Sequence, residues 1–200
     1  MPSQWRQKRS AIRHYDRIAE TYDEQYAEEQ NLKIITALKA LPQPINKNAK
    51  ILDAGCGTGT LFPHITQYAR LIAGIDTSRN LLKKAKKKTH PSVALIRADA
   101  DTMPFKEGVF THTFAFTLLQ NQPRPEKTLT EIRRVTRKNA ILIVTALKKH
   151  FTQSDFTHLL ENARLDASIL KTDNELKDFI AICRKKPMTP SASAFSGAIR

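Results

Sequence analysis

The chain has 200 residues, of which 40% are hydrophobic and 26% are charged, and this length suits one domain that buries its own core. Two cysteines are too few for a disulfide framework, and no uncharged apolar run approaches the roughly 18 residues of a membrane span. The N-terminus has basic residues but no apolar stretch behind them, so we expect a cytoplasmic protein with no membrane partner. The formal net charge of +14 bears on binding partners rather than on the fold.

The two ends of the chain differ in composition from the rest of it. Residues 1–9 are polar and basic and predict a flexible arm, and residues 187–200, rich in Pro, Ser and Ala, predict a mobile tail. From Ser10 to Tyr26, apolar and aromatic residues recur every three to four positions, which predicts one helix. A second helical stretch, residues 32–41, ends before two prolines.

From residue 49 onward, short apolar runs alternate with helical patterns. The predicted strands are residues 49–54, 71–75, 93–96, 109–116, 140–147, 167–170 and 179–184. The predicted helices between them are residues 61–68, 78–89, 126–137 and 154–162. This order predicts an α/β fold with a doubly wound, Rossmann-like, mostly parallel seven-stranded sheet, an antiparallel C-terminal strand pair and helices on both faces.

The first predicted strand leads into a glycine-rich loop, GCGTGT, at residues 55–60. A dinucleotide fingerprint needs the spacing G-x-G-x-x-G, whereas here Thr60 takes the place of the third glycine, which disfavours NAD. A phosphate-binding P-loop is excluded because the chain contains no Gly-Lys-Ser or Gly-Lys-Thr.

Three carboxylates follow successive strands at equal spacing. Asp76 lies 23 residues after Asp53, and Asp99 lies 23 residues after Asp76. The carboxyl ends of parallel strands meet in one crevice, where an acid after the second strand can accept hydrogen bonds from a ribose diol. An acid after the third strand can accept from an exocyclic amine such as adenine N6, with Asp101 as the alternative to Asp99. The spacing therefore predicts an adenosine-like ligand.

Four blocks in this order, ILDAGCGTGTL, LIAGIDTS, IRADADTMPF and TLLQNQPRPEKTLTEIRRV, resemble class I S-adenosylmethionine-dependent methyltransferases, over roughly residues 12–184. The resemblance implies a methyltransferase domain at residues 10–186, lid helices at residues 10–41, and S-adenosylmethionine as cofactor without a metal. The residues it implies for cofactor binding are Tyr15, Tyr22, Asp53, Gly55, Gly57, Thr58, Asp76, Thr77, Asp99, Ala100 and Phe116. For Tyr15 and Tyr22, core packing on the amphipathic stripe is an equal alternative.

The sequence specifies the methyl acceptor poorly. The family's motif for methylation of exocyclic amines, Asn, Asp or Ser followed by Pro-Pro-aromatic, is absent after the fourth strand. Asn121 is the candidate catalytic residue, as hydrogen-bond acceptor for an amine, and a turn residue is the alternative interpretation. His112 is a weaker candidate for a general base, and Cys56 is disfavoured as a nucleophile.

Basic clusters at residues 83–88, 124–138, 148–149 and 184–186 could contact phosphates, although solvated helix faces also explain them. We therefore expect methylation of a base in ribosomal RNA or tRNA, at a nitrogen such as cytidine N4, in line with a faint resemblance to small archaeal-type ribosomal RNA methyltransferases. The alternatives are C- or O-methylation of a small molecule, as in quinone biosynthesis, and cofactor binding without catalysis.

Overall fold

The computed structural model describes residues 3–172 and 175–187, so the tail expected at residues 187–200 lies outside the described residues except for its first position. The helices in these ranges are α1 (Ser3–Ile18), α2 (Tyr22–Lys39), α3 (Phe62–Ile65), α4 (Arg79–Lys86), α5 (Pro125–Val135) and α6 (Gln153–Asn162). The strands are β1 (Ala49–Ala54), β2 (Ala69–Asp76), β3 (Val93–Arg97), β4 (Phe110–Ala115), β5 (Thr136–Leu147), β6 (Leu165–Ile169) and β7 (Asp178–Lys185). No helix in these ranges combines the length and apolarity needed to cross a membrane.

The strands form one seven-stranded sheet in the order β3-β2-β1-β4-β5-β7-β6. Neighbours from β3 to β5 pair in parallel, and β7 runs antiparallel to both β5 and β6. The predicted fold class is thereby confirmed. The strand order reverses between β1 and β4, and ligands of doubly wound sheets bind at the carboxyl ends of the strands beside such a reversal.

The central strands are buried on both faces, which is why they read as continuous apolar runs. On one face, Leu52 of β1 and Phe110 of β4 belong to a buried cluster with Ile132 of α5. On the other face, Ile51 of β1 packs in a second cluster with Phe62 of α3. Two layers of helices therefore hold the sheet, and its carboxyl edge remains available for a site.

The N-terminal region differs from the expectation. Helix α1 begins at Ser3, so most of the expected flexible arm is helical, and residues 19–21 separate α1 from α2. The predicted helix had run without a break through this point. The difference has a tertiary cause, because Lys8 of α1 forms ion pairs with Asp99 and Asp101, far along the chain.

A second contact fixes the other end of α1. The Asp16 carboxylate accepts hydrogen bonds from the Ser78 hydroxyl (2.6 Å) and the Asn80 backbone amide (3.0 Å), at the first turn of α4. An acid in this position neutralises unpaired amides and the positive end of the helix dipole. Helix α1 therefore lies across the carboxyl ends of β2 and β3, where the predicted ligand would bind.

Candidate functional site

A cavity of about 310 Å³ lies beneath α1 at the carboxyl edge of the sheet. Its floor comes from the glycine loop after β1 and from the segments that follow β2, β3 and β4, and its roof comes from the lid helix. The side chains from α1 that face it are Trp5, Lys8, Ala11, Ile12 and Tyr15. A second cavity of about 30 Å³ lies under the glycine loop, toward α2.

The glycine loop is held open by its backbone conformation. Gly55, Gly57 and Gly59 have positive φ angles of 78°, 53° and 77°, a region that side chains with a Cβ disfavour. A Cβ placed on Gly57 would find no other heavy atom within 4 Å. The backbone of Gly57 therefore borders open space, and a ligand can approach it closely.

Asp76 joins this loop to the start of α4. One carboxylate oxygen accepts from the Gly57 amide (3.0 Å) and the other accepts from the Ser78 amide (2.8 Å). Burial raises the pKa of the Asp76 carboxyl, and the hydrogen bonds from the Ser78 and Gly57 amides oppose this rise. Asp76 thus shapes the loop in addition to facing the cavity.

Asp53 lies in the smaller cavity and is only 3% exposed. Burial, with a smaller contribution from the charge of Asp76, raises the pKa of the Asp53 carboxyl to about 8. At pH 7 the carboxyl is therefore mostly protonated. A cation that enters this cavity would lower the pKa of the Asp53 carboxyl, which could then ionise and form an ion pair with it.

Asp99 and Asp101 share one lysine. The Lys8 ammonium donates to both oxygens of Asp99 at 2.7 Å and to Asp101 at 2.5 Å. The second oxygen of Asp101 accepts from the Thr128 hydroxyl, also at 2.5 Å. Asp99 lines the large cavity, whereas Asp101 is turned toward α5. The arrangement favours Asp99 over Asp101 as the acid available to a ligand.

Two tyrosines predicted for the site form part of its aromatic wall. The rings of Tyr15 and Tyr22 meet edge to face with centroids 6.2 Å apart, and both line the large cavity. Burial raises the pKa of both phenols, so they remain protonated near neutral pH. Phe116, the first residue after β4, lines both cavities.

Most predicted residues come together here. Those that line the large cavity are Tyr15, Tyr22, Gly55, Gly57, Asp76, Thr77, Asp99, Phe116 and Asn121. Asp53 and Thr58 line the small cavity, where the Thr58 hydroxyl donates to Asp23 of α2 (2.5 Å). Ala100 is buried but lines neither cavity. Their roles toward a cofactor stay predictions.

Two weaker candidates lie away from the large cavity. His112 lies in the middle of β4, paired with Ile51 and Ile141 on the neighbouring strands, and lines neither described cavity. Burial also lowers the pKa of its imidazole. Burial raises the pKa of the Cys56 thiol well above its usual value, which disfavours a thiolate nucleophile. Neither position offers a reactive group to a ligand in the large cavity.

The sequence reasoning missed Trp5, Lys8 and Ile12 as lining residues. All three lie on the face of α1 that also carries Tyr15, at helical spacing. The signal was present in the sequence, because this spacing continues the predicted apolar stripe toward the N-terminus. The basic residues between these positions obscured it.

Comparison with known proteins supports the geometry. Residues 52–144, from β1 to β5, match the family described as Methyltransferase domain. The structure of the DhpI-SAH complex covers 90% of this chain and 97% of that chain, with a TM-score of 0.74 and 16% identity. A Thermotoga maritima structure described as an SAM-dependent methyltransferase, possible histamine N-methyltransferase, has a TM-score of 0.70 and 17% identity, and covers 88% of this chain and all of that chain.

Residues 52–144 of the chain form a methyltransferase domain. The resemblance read from the four sequence blocks is thereby confirmed.

Curated relatives of this methyltransferase are more similar to it in sequence than these solved structures are. It is 27% identical to the uncharacterized protein MJ1252 of Methanocaldococcus jannaschii, over 86% of this chain and 63% of that protein. It is 28% identical to the ubiquinone/menaquinone biosynthesis C-methyltransferase UbiE of Campylobacter jejuni, over 69% of this chain and 63% of that protein. The chain thus spans a little less than two thirds of the length of these two relatives.

The residues of the methyltransferase fit S-adenosylmethionine. Open space borders the Gly57 backbone, and the cavity wall presents the carboxyls of Asp76 and Asp99, which can accept hydrogen bonds from a ribose and an adenine amine. Asp53 can ionise to pair with the cofactor's ammonium group. Tyr15 and Tyr22 supply apolar ring surface above the loop.

The pKa of Asp53 predicts that cofactor binding releases a proton. The apo carboxyl has a pKa of about 8, and an ammonium group beside it stabilises the ionised form and lowers that pKa. Affinity should therefore rise with pH below 8, by up to about tenfold per unit, and should level off above it. Calorimetry at pH 6 and 7, in buffers of different ionisation enthalpy, measures both the affinity and the proton count.

Asp53→Asn provides the control. This variant should bind the cofactor more weakly, and the proton release should disappear. An affinity of the unchanged protein that stays constant from pH 6 to 8 would contradict the assignment of Asp53.

Proposed function

We propose that the chain transfers a methyl group from S-adenosylmethionine to a base nitrogen in ribosomal RNA or tRNA, such as N4 of cytidine. When bound, the cofactor supplies a methyl group activated on a sulfonium. The chain's own residues must hold the acceptor in line with that methyl group and exclude water, and such alignment can contribute about 7 to 11 kcal/mol. The observation that carries the RNA proposal is a basic surface beside the cavity.

An arginine stripe runs along the outer side of α1. Arg6, Arg9, Arg13 and Arg17 follow each other at intervals of three or four residues, and all four are exposed. Helical geometry places them on one face, away from the face that covers the cavity. Phosphates bound along this stripe would therefore lie next to the entrance of the site.

Helix α4 extends the basic surface. Arg79, Lys83 and Lys86 are exposed at positions i, i+4 and i+7, and α4 is joined to α1 through Asp16. We name Arg6, Arg13 and Arg17 of α1, together with these three residues of α4, the α1–α4 basic surface. Lys84 and Lys88 do not belong to it, because they form ion pairs with Glu20 and Asp23 respectively.

Asn121 supports an acceptor that carries an amine. Its side-chain nitrogen donates to the backbone carbonyl of Thr117 (3.0 Å), so its side-chain oxygen faces away from that contact and can accept a hydrogen bond. The exocyclic amine of a nucleobase offers such a donor. A base in structured RNA would have to be flipped out or presented in a loop to enter.

A small-molecule acceptor is the second candidate. It is supported by relatives described as a quinone-biosynthesis C-methyltransferase and as a malonyl-[acyl-carrier protein] O-methyltransferase, the latter from Buchnera aphidicola and 25% identical over 86% of this chain and 70% of that protein. The cover that α1 forms over the cavity also suits a small acceptor. Phosphate contacts would then be absent, and the basic surface would be only a solvated face.

One labelling experiment separates these functions. The protein is incubated with S-adenosylmethionine labelled in its methyl group, together with total RNA or a small-metabolite fraction from cells that lack the protein. We expect label in RNA, recovered as a methylated nucleoside after digestion. Label only in metabolites would favour the second candidate. Cofactor binding without transfer to either fraction would refute both and leave a binding protein.

Charge reversal tests the α1–α4 basic surface directly. The triple variant Arg6→Glu, Arg13→Glu and Lys83→Glu should weaken binding to a structured RNA at least tenfold at physiological salt. It should also lower the slope of log affinity against log salt by roughly 2, since each lost phosphate contact removes about 0.7 to 0.9.

The matched control carries the same charge change at the opposite edge of the sheet. Lys47, Arg137 and Lys138 are exposed near the amino ends of β1 and β5, and their replacement by glutamate should leave most of the affinity and the salt slope in place. Equal losses in both triple variants would show that only net charge matters. The α1–α4 basic surface would then be rejected.

A further inference from the structure

Thr117, the second residue after β4, has an unusual conformation at the wall of the large cavity. Its φ angle is +53°, in the left-handed region that β-branched residues rarely adopt. Such a conformation is strained and persists only where the surroundings enforce it. The groups that enforce it here are visible around Thr117.

All of its polar groups are engaged. The Thr117 amide donates to the Thr145 hydroxyl (2.8 Å). Its hydroxyl oxygen accepts from the Lys33 ammonium (2.7 Å) and from the Gln30 side chain (3.1 Å). Its carbonyl accepts from the side chains of Gln120 and Asn121, each at 3.0 Å. Thr117 thus connects α2, β5 and the turn that follows β4.

The strongest of these anchors is a fully buried lysine. The side chains of Lys33 and Asp178 are both 0% exposed, and the Lys33 ammonium lies 2.6 Å from an Asp178 oxygen. A buried ion pair contributes little net stability, because desolvation offsets the attraction between the charges. The pair links α2 to β7, directly behind the cavity wall. Its value to the fold alone is therefore small.

The carbonyl of Thr117 determines how Asn121 is presented. An asparagine amide has two orientations of similar shape, one with the nitrogen and one with the oxygen toward a given neighbour. Since a carbonyl only accepts, it selects the orientation with the Asn121 nitrogen toward Thr117. The Asn121 oxygen is thereby kept as an acceptor at the cavity wall.

We infer that Lys33 and Asp178 are positioning residues for methyl transfer: they fix Thr117 in its left-handed conformation, and Thr117 orients the Asn121 amide to receive an N–H or O–H of the acceptor. Neither charged residue lines the large cavity, so both act through Thr117. The inference rests on the proposed function in placing the acceptor beside Asn121. It adds that the site selects acceptors with a hydrogen-bond donor at the reacting atom.

The first test removes the ion pair as a unit. The double variant Lys33→Met and Asp178→Asn avoids an unpaired buried charge, so we expect it to fold and to bind S-adenosylhomocysteine within about twofold of the unchanged protein. The rate of label transfer to RNA at saturating cofactor should fall at least tenfold, with the KM for cofactor unchanged. A variant that folds and keeps its full turnover would overturn the inference.

A second measurement does not require turnover. In nitrogen-15 NMR spectra, the side-chain amide of Asn121, assigned by its loss in Asn121→Asp, should exchange with solvent at least tenfold faster in the double variant. If the unchanged protein labels no RNA, the proposed RNA function fails, and this exchange rate still decides the positioning role. An unchanged rate would overturn it.

Single substitutions complete the test if the double variant does not fold. Thr117→Val removes the hydroxyl and should reproduce the faster Asn121 exchange and the lower turnover, whereas Thr117→Ser keeps the hydroxyl and should retain both properties. Thr113→Val is the matched control, because it removes a buried hydroxyl of β4 that bonds only within the sheet, to Thr136 at 2.8 Å. Equal effects of Thr113→Val and Thr117→Val would reduce Thr117 to a structural residue.

Discussion

Replacing Asp76 by asparagine is expected to weaken S-adenosylmethionine binding at least 100-fold. We predict that the carboxylate accepts two hydrogen bonds from the ribose, and hydrogen bonds to a charged group contribute about 1.5 to 3 kcal/mol each. Isothermal calorimetry measures the loss. An affinity near that of the unchanged protein would contradict the placement of the ribose beside Asp76.

The control must account for the second role of this carboxylate. Asp76 also accepts from the amides of Gly57 and Ser78, so its removal disturbs the glycine loop, and an alanine at this position would not leave the local fold intact. Ser78→Ala is the matched variant, because it removes the side chain that caps α4 by accepting from the Leu81 amide. It also removes one hydrogen bond to Asp16, while the Asn80 amide keeps its own hydrogen bond to that carboxylate. It should lower the free energy of unfolding by about 1 kcal/mol yet retain most of the affinity.

Among alanine substitutions of the three loop glycines, Gly59→Ala is expected to cause the largest loss of stability. A Cβ at this position would lie 2.6 Å from two ring carbons of Phe62, a fully buried side chain, and the φ angle of Gly59 is +77°. Overpacking costs about 1 to 3 kcal/mol, and left-handed strain costs about 1 to 2 kcal/mol. Urea denaturation should therefore show a decrease of about 3 kcal/mol or more in the free energy of unfolding.

Gly57→Ala is expected to lower cofactor affinity much more than it lowers the free energy of unfolding. Gly57 also has a positive φ angle, but its Cβ would enter open space at the cavity. The expected cost to stability is only about 1 to 2 kcal/mol, whereas cofactor affinity should fall sharply because the added methyl group occupies the space beside the loop. A more stable Gly59→Ala than Gly57→Ala would refute this interpretation of the two glycines.

The sheet could be predicted because its signals are local. Buried parallel strands such as β1 and β5 are uninterrupted apolar runs, and connections that alternate with helices restrict the topology strongly. The regular spacing of Asp53, Asp76 and Asp99 reflects one repeated strand-helix unit, so it placed the acids at one edge. The predicted boundaries of these strands differ from the observed ones by only a few residues.

The remaining features depend on contacts that no local pattern carries. Lys8 reads as part of a polar terminus until Asp99, 91 residues later, is folded against it. Lys33 reads as a solvent-facing residue of α2 until β7 brings Asp178 beside it. Lys84 and Lys88 read as part of one RNA-binding run, yet they pair with acids of the lid region. Whether a charged residue is paired or exposed therefore depends on partners that are distant in sequence, and a local sequence pattern does not reveal it.

Helix α1 also determines how short a fragment of the chain can be and still enclose the cofactor. The region that matches the family begins at residue 52, whereas Lys8, Tyr15 and Tyr22 form part of the cavity wall. A fragment trimmed to the family boundaries would retain the glycine loop but expose its ligand to bulk water on one side. The shortest piece that can enclose its cofactor must therefore include the N-terminal helix, and truncation at residue 51 would remove the roof of the pocket along with the arginines on its outer side.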